Sequence, residues 1–360
     1  MTSPRRLRCG LFAAVLLGMV ALLGTACSGT GPQDFLHPAG YNAQKADDLW
    51  NIVFVIATII FVIVEGLLVY AIVKFRHRPG REAAQFHGNP KIEVVLTVIP
   101  ALILAGIAIP TIRTIFELSA KPSDSMPVTV IAHQFWWEYQ YPDQQVVTAN
   151  ELHIPTGRDV LVTVEGEPSD LVTGLPEVIH SFWVPRLAGK QDVVPGHKNT
   201  LILFTNTPGT YRGQCTEFCG LGHGFMRLRV IAQSPTDFEN WVLNQQNDAP
   251  GPAKGSLAAT GATLFQNGAG GGQFPNGPAC SACHSLTSSP VDKAVPRVGP
   301  NLGHLADRAT FAGATFDRTD ANLARWLNSP SAVKPGARMP TLGLTTDQIK
   351  ALVAYLDTLK

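Results

Sequence analysis

Cysteine and methionine are scarce in this 360-residue chain, and so is charge of either sign. It has six cysteines, five methionines, 15% charged residues and a formal net charge of +1. That net charge decides neither for nor against nucleic-acid binding, but no stretch interleaves basic with aromatic residues, so we expect no nucleic-acid partner. The length leaves room for two ordinary domains and additional segments.

Apolar sequence is plentiful, and most of it lies in the first 120 residues, as is typical of a membrane protein with a water-soluble tail. A basic start with Arg5 and Arg6 precedes the apolar run Leu11–Leu23. At 13 residues the run is too short to span a bilayer as a helix. Residues 1–26 are therefore predicted to be an export signal peptide, removed together with Cys9.

The signal segment ends in Leu-Gly-Thr-Ala immediately before Cys27. This ending resembles a bacterial lipoprotein cleavage site, which would make Cys27 a lipidated N-terminus. The alternative is ordinary cleavage after Ala26, which would leave an unused thiol. Residues 27–48 are then expected to form a periplasmic N-terminal segment.

Two apolar segments are long enough to form a transmembrane hairpin, predicted over residues 49–120. Leu49–Val73 has 25 residues with one charge, Glu65, and Val94–Ile112 has 19 uncharged residues. At about 1.5 Å per residue the first is roughly 37 Å long, enough to cross a bilayer with some tilt. A carboxylate inside a span, such as Glu65, is a functional candidate, although no role follows from the sequence.

The loop between the two spans is basic and places the chain in the membrane. One acid, Glu82, stands against five bases: Lys74, Arg76, Arg78, Arg81 and Lys91. The positive-inside rule puts this loop in the cytoplasm and both long flanks on the outer face. We therefore expect a protein of the bacterial inner membrane with its large domains in the periplasm.

Residues 125–245 have the pattern of an all-β domain. Short β-branched runs bounded by Pro, Gly and Asn occur at Pro127–Ala132, Val160–Val164 and Thr200–Phe204, and helical periodicity is absent. Such a pattern predicts a β-sandwich or small barrel.

The remaining residues predict a linker and a small all-α domain. Residues 246–255 are rich in Pro and Gly without apolar periodicity, as expected of a linker. Within residues 256–360 a helix is predicted near Ser256–Asn267. The C-terminal helix carries an apolar face and begins at a capping box of Thr345 and Gln348.

The densest group of metal-binding side chains lies between Cys215 and Met226. Cys215, Cys219, His223 and Met226 fall within twelve residues, and His180 ends a β-like run upstream. Zinc rarely uses a thioether, whereas thiolate, imidazole and a weak Met ligand suit copper. Two thiolates can bridge two copper ions into one delocalised one-electron centre, and a β domain joining an early His to a late Cys/His/Met loop indicates a cupredoxin-like fold.

With these motifs, residues 27–245 resemble subunit II of the haem–copper cytochrome c oxidases in order and spacing. The resemblance implies a dinuclear copper centre, CuA. Its ligands would be His180, Cys215, Cys219, His223, Met226 and the backbone carbonyl of Glu217. It also implies that the Glu217 side chain faces a magnesium or manganese site shared with subunit I.

The same resemblance marks two further positions. Glu93 matches a family glutamate near the mouth of a proton pathway into subunit I, while an interfacial carboxylate reaching water remains the alternative. Phe135 stands where many members place an exposed tryptophan that accepts electrons from soluble cytochrome c. The usual docking route is therefore in question: either Trp136 substitutes for the tryptophan, or the route is not needed.

The motif Cys280-Ser-Ala-Cys283-His284 is that of covalent haem c attachment. Its two thiols reach the two vinyl groups and the adjacent His supplies the proximal iron ligand. A sixth ligand is expected to be Met or His. Met339 is the sole methionine of this domain and its context resembles the distal ligand of small cytochromes c, while His304 is the rival.

Charge differs between the two soluble domains. Residues 125–245 carry 7 basic and 12 acidic side chains, whereas residues 256–360 carry 9 basic and 6 acidic ones. Opposite signs on tethered domains favour productive encounter, and the tether sets an effective concentration on the order of millimolar. The fused haem is thus expected to be the built-in electron donor to CuA.

The expected function is an electron relay within a cytochrome c oxidase. An external donor, either a soluble or membrane cytochrome or a quinol–cytochrome complex, would reduce the haem. Electrons would pass through CuA to subunit I, beside which subunit III is expected, for dioxygen reduction and proton pumping. The alternatives are a quinol oxidase subunit, which would lack the copper ligands; a nitrous oxide reductase, which needs a large His-rich domain; and a free-standing carrier.

Overall fold

A computed structural model describes residues 31–77, 79–80, 87–166, 177–268, 273–274, 277–287 and 298–360. The predicted signal peptide and the lipidation candidate Cys27 lie outside the described residues. So do three charges of the basic loop, Arg78, Arg81 and Glu82.

Two long apolar helices form a hairpin and pack against each other, α1 over Tyr41–Phe75 and α2 over Pro90–Leu118. Both are long and apolar enough to cross a membrane. Asn89 caps α2 by accepting from the backbone N–H of Lys91 at 3.1 Å, and Pro90 occupies the first turn, where no N–H is required. The predicted spans are shorter than these helices and lie inside them.

The start of α1 attaches the membrane hairpin to the β domain. Tyr41 donates from its hydroxyl to the Asp159 carboxylate at 2.9 Å, and Asn42 donates to the Ile202 carbonyl at 3.0 Å. Gly40 lies so close to the Leu187 carbonyl, 2.5 Å from a would-be Cβ, that a larger residue would not fit. The β domain is thus held directly against the N-terminal end of α1.

The β domain is a sandwich of two five-stranded sheets, as the sequence predicts. The first has the order β3-β2-β1-β5-β8 and the second β4-β10-β9-β6-β7. The strands are β1 Met126–His133, β2 Trp136–Tyr141, β3 Val146–Ala149, β4 Glu151–Pro155, β5 Val160–Gly166, β6 His180–Trp183, β7 Gln191–Val193, β8 Lys198–Leu203, β9 Gly209–Cys215 and β10 Arg227–Gln233. The three predicted β-branched runs fall in β1, β5 and β8.

Large apolar side chains from both sheets fill the space between them. Trp137, Tyr139 and Phe182 are fully buried there, and Trp137 meets Phe182 edge-on at 5.4 Å. Met226 and Cys215 belong to the same core, so the metal-binding loop is anchored in the packed interior.

One helix of this domain contradicts the expectation that residues up to 245 are β. The helix α3 spans Pro235–Gln245 and begins at Ser234, whose hydroxyl accepts from the Asp237 N–H at 3.2 Å. Phe238 and Val242, four residues apart, are the apolar residues of its buried face, which also includes Gln245. The apolar stripe consists of only two residues, which is too few to produce a helical pattern that can be recognised in the sequence of the whole domain.

The C-terminal domain is mainly helical, as predicted. Its helices are α4 Leu257–Asn267, α5 Asp320–Asn328, α6 Pro330–Val333 and α7 Thr346–Leu356, with two short hairpins, β11 Gln273–Phe274 with β12 Gly277–Pro278 and β13 Thr310–Phe311 with β14 Phe316–Asp317. The predicted capping box of Thr345 and Gln348 is confirmed. Gly261 lets α4 approach α7, because a Cβ there would overlap the Ala351 carbonyl.

Candidate copper centre and haem site

The metal-binding loop connects β9 to β10 above one end of the sandwich. Cys215 ends β9, and Met226 directly precedes β10. His180 opens β6, which pairs with β9 through Phe182 opposite Cys215. The sheet register therefore brings a histidine 35 residues upstream in the sequence beside the cysteine loop.

Within this loop the donor atoms lie close together and are shielded from water. The Sγ atoms of Cys215 and Cys219 are 3.8 Å apart. His180 Nδ1 lies 3.8 Å from Cys215 Sγ, and His223 Nδ1 lies 3.6 Å from Cys219 Sγ. Met226 Sδ is 3.9 Å from Cys219 Sγ. His180, both cysteines and Met226 are buried, so five soft or borderline donors surround one small buried volume.

The two thiols influence each other's acidity. The pKa of Cys215 is lowered, chiefly because the Cys219 thiol hydrogen-bonds to it. The same contact, together with burial, raises the pKa of Cys219. The pair therefore loses one proton readily, and the second leaves when a metal takes its place.

A carboxylate lies on the far side of the His180 ring. Its Nε2 lies 3.8 Å from Glu177 Oε1, while Nδ1 points at Cys215. Burial opposes protonation of the ring, but the contacts with Cys215 and Glu177 outweigh it and raise the pKa of His180. Such outer carboxylates fix which nitrogen of a histidine faces a metal.

The donor set fits copper better than zinc. His180, Cys215 and Cys219 can reach one ion, and the buried thioether of Met226 adds a ligand that structural zinc sites rarely use. The Glu217 carbonyl oxygen lies 3.2 Å from Cys215 Sγ and offers a further donor. The Glu217 side chain is exposed, as is Phe218 at 76%.

A second site lies between the C-terminal and β domains. One cavity is lined by Cys280, Cys283, His284 and Met339, the four predicted haem residues. Its walls are mostly apolar, including Phe265, Leu302, Leu323, Trp326, Leu352 and Leu356. Burial raises the pKa of both Cys280 and Cys283. The thiols are thus neutral and beside an apolar slot, which fits a covalently attached haem.

His284 and Met339 both line this cavity, and each is held by a neighbouring group. His284 Nδ1 lies 2.8 Å from the Pro300 carbonyl, which leaves Nε2 free. Burial lowers the pKa of His284, so the ring is neutral. The Trp326 indole N–H donates to Met339 Sδ at 3.1 Å.

The rival ligand His304 lies elsewhere. Its ring is buried, with Nδ1 3.9 Å from an Asp307 carboxylate oxygen. Among the described residues that line the cavity, Met339 is present and His304 is not.

The aromatic segment after β1 closes the cavity from the β-domain side. Phe135 and Trp136 are 8% and 7% exposed, and Trp136 stacks on His133 with ring centres 4.1 Å apart. A Cβ at Gly222 would lie 2.4 Å from the Phe135 ring, so this ring packs directly on the metal-binding loop. The position that is an exposed tryptophan in many family members is therefore covered here.

Two buried charged residues at the same boundary could not be identified from the sequence. Glu151 and Lys334 are 2% and 4% exposed, and each bonds across the boundary between the two domains. Neither belongs to a motif, because their partners are backbone groups whose proximity only the tertiary fold creates.

The two membrane carboxylates are separated along the hairpin. Glu65 lies within α1. Glu93 lies in the first turn of α2, close to Gly88 of the preceding loop.

A two-helix membrane anchor, a cupredoxin-like domain with a copper-type donor set and a haem-type domain define a membrane-bound electron-transfer protein. Three family models match it: the transmembrane domain of cytochrome c oxidase subunit II over residues 31–114, the periplasmic domain of that subunit over 126–233, and cytochrome c over 258–360. The chain belongs to the cytochrome c oxidase subunit II family.

Relatives match along nearly the whole length. A cytochrome c oxidase subunit 2 of Bacillus sp. (strain PS3) is 33% identical, with 96% of each chain covered. One of Bacillus subtilis (strain 168) is 30% identical, covering 96% of this chain and 97% of the relative. A solved periplasmic domain of cytochrome oxidase subunit II of Bradyrhizobium japonicum is 26% identical over 34% of this chain and 94% of its own, with a TM-score of 0.31.

Family membership settles the coarse assignments. The chain is a membrane-bound subunit of an oxidoreductase complex, with an extramembrane domain and subunit I as its implied partner. Its two domain types imply copper and haem.

Proposed function

We propose that this chain receives electrons for a proton-pumping cytochrome c oxidase and delivers them to subunit I, where dioxygen is reduced. The observation that carries the proposal is the direct contact between the two candidate sites. Gly336, three residues before Met339, packs on Gly222, next to His223, with a would-be Cβ 2.6 Å from the Gly222 nitrogen. The external donor would be a soluble or membrane cytochrome or a quinol–cytochrome complex.

The residues that would hold the groups follow from the two donor sets. Two copper ions would be held by His180, Cys215, Cys219, His223, Met226 and the Glu217 carbonyl. One haem c would be attached through Cys280 and Cys283 and ligated by His284 and Met339. When bound, each group takes up and releases one electron at a time.

The protein's own contribution is to exclude water and fix the donors. Burial of both thiols and of Met226 keeps the copper ligands in one arrangement. Glu177 lies beside the His180 ring, the Pro300 carbonyl holds the His284 ring, and Trp326 holds the Met339 sulfur. A fixed set of ligands changes little when charge changes, which favours fast electron transfer.

Three finer roles belong to the same proposal. The exposed Glu217 side chain would contribute to a magnesium or manganese site shared with subunit I. Glu93 would stand at the mouth of a proton pathway, and Glu93→Gln in the assembled complex should slow turnover without changing either spectrum. Both soluble domains would lie on the periplasmic face of the bacterial inner membrane, and subunit III would complete the complex.

The test is to purify the full chain after copper and haem maturation and to measure its metals and spectra. We expect two coppers and one covalent haem per chain, a mixed-valence copper signal, and co-purification with a haem–copper subunit I. Zinc, or a single copper, in a folded product would overturn the copper assignment.

The sixth haem ligand can be tested separately. Met339→Ala should abolish the methionine-ligated haem spectrum while the copper signal stays intact. An unchanged spectrum would point to His304, and His304→Ala is the matched variant for that outcome.

A further inference from the structure

The boundary between the β domain and the cytochrome domain contains backbone-to-backbone contacts at two glycines. A Cβ at Gly336 would lie 2.6 Å from the Gly222 nitrogen, and one at Gly313 would lie 2.7 Å from the Phe225 carbonyl oxygen. Gly313 also accepts from the Arg227 N–H at 3.0 Å. The backbone of the cytochrome domain therefore sits directly against the backbone of the metal-binding loop at these points.

Lys334 of the cytochrome domain binds across this boundary. Its ammonium group donates to the Phe135 carbonyl of the β domain and to the Ala312 carbonyl of its own domain, both at 2.9 Å. Burial lowers the pKa of Lys334 to about 7, which reflects how completely the docked domains remove this amine from water.

Glu151 of the β domain binds in the opposite direction. Its carboxylate accepts from the Thr310 N–H at 2.8 Å, the Thr310 hydroxyl at 2.6 Å and the Ala309 N–H at 3.2 Å. These three donors all belong to the cytochrome domain, and they satisfy a carboxylate that is only 2% exposed.

Such contacts do not suit a domain that leaves and returns in each cycle. Transient redox complexes bury little area, and charges at a polar rim contribute little to affinity. Here two ionisable groups are desolvated at the contact. Separation would break the four hydrogen bonds that join them to the other domain, one from Lys334 and three to Glu151, and would leave each group without those partners. The contacts also hold the Met339 loop against the His223 loop.

We propose that Lys334 and Glu151 are positioning residues that keep the cytochrome domain docked on the metal-binding loop throughout turnover. Electron transfer between the two sites then occurs across the fixed Gly336–Gly222 contact and needs no domain motion. This inference rests on the proposed function, because it requires both sites to be redox-active, but docking itself can be measured separately from electron transfer.

The kinetic test follows electron transfer from haem to copper in the full chain after photochemical reduction of the haem. In the wild type we expect a rate independent of glycerol viscosity and of salt. In the double variant Lys334→Met with Glu151→Gln we expect the rate to fall by about tenfold or more, since truncating a buried charge partner weakens an interface by at least that factor. The remaining rate should depend on viscosity, while both spectra stay unchanged.

Matched controls separate positioning from loss of charge and from backbone strain. Lys350→Met with Glu239→Gln removes the same charges at exposed positions and should leave the rate unchanged. Gly336→Ala adds a methyl at the contact and should slow transfer. Gly255 has a similar positive φ, +77° against +84° at Gly336, but lies in open space. Gly255→Ala therefore introduces a similar backbone strain without a contact and should leave the rate unchanged.

A second measurement does not depend on the metals. Hydrogen exchange of the Ala309 and Thr310 amides should be slow in the wild type and should accelerate in the double variant. A wild-type rate that falls with viscosity, or a double variant with wild-type kinetics and exchange, would overturn the inference. A wild-type chain that lacks copper or haem but still shows slow exchange of these amides would instead count against the proposed function alone.

Discussion

At the scale of single residues, Trp326 shows how a neighbour controls a ligand. Its indole N–H donates to Met339 Sδ at 3.1 Å, which fixes the direction of the sulfur. A neutral hydrogen bond contributes about 1 kcal/mol, a factor of about five in an equilibrium.

We therefore expect Trp326→Phe to keep the haem attached but to let imidazole displace Met339 about five times more readily. Imidazole titration of the ferric haem, followed by its spectrum, measures this. Trp241→Phe, in the β domain, is the control. Equal imidazole affinity in Trp326→Phe and the wild type would remove Trp326 from this role.

His153 gives the β domain a pH-dependent stability. Its ring stacks on Trp241 with centres 4.2 Å apart, and Nδ1 lies 2.8 Å from Gln233 Oε1. Burial lowers the pKa of His153 from 6.5 to about 4. Between those values the unfolded chain binds the proton and the folded chain does not, so stability falls as pH decreases.

The loss of unfolding free energy attributable to His153 should reach about 3 kcal/mol as the pH falls from 6.5 to 4. His153→Phe keeps the stacking but has no proton to bind, so its melting temperature should decline less over this range. Melting of the purified chain in detergent measures it, with exposed His197→Phe as the control. The explanation fails where wild type and His153→Phe lose stability in parallel.

At the scale of elements, helix α3 makes a separate prediction. Phe238 is 5% exposed and contacts Tyr141 and Trp241. Phe238→Ala should cost roughly 3–5 kcal/mol of unfolding free energy, because removing a buried ring leaves a cavity. Chemical unfolding measures this cost, and Leu243→Ala, at a 58% exposed position of the same helix, should cost far less.

Local patterns predict most elements of this chain, but not all of them. The capping box of Thr345 and the β-branched run at Val160–Val164 are visible because short-range chemistry specifies them. Helix α3 is hidden, since its buried face has only two apolar residues in a segment that otherwise looks β.

The candidate site divides in the same way. Cys215 to Met226 and the haem attachment motif are local in sequence, so spacing alone predicts them. Glu151 and Lys334 are not predictable, because their importance depends on carbonyls and amides brought near by folding. The sequence compares Met339 and His304 only by their distance along the chain from His284. The structure distinguishes them, because Met339 lines the cavity and His304 is not among its lining residues.

At the scale of the whole molecule, net charge and contact geometry differ in what they indicate. The opposite net charges predict attraction between tethered domains. Yet the ion pair between the domains places the base, Arg229, in the acidic β domain and the acid, Asp317, in the basic cytochrome domain, 3.6 Å apart. Docking is therefore specified by individual groups with backbone partners and not by the net charges of the two domains.

A boundary of this kind should make the two soluble domains unfold together. Domains joined by a polar, hydrated interface usually melt separately, but here separation exposes Glu151 and Lys334 from near-complete burial. We expect one calorimetric transition for both domains in the wild type, and two in Lys334→Met with Glu151→Gln. The exposed pair of substitutions, Lys350→Met with Glu239→Gln, should retain one transition. Two well-separated transitions in the wild type would mean that the domains are energetically independent.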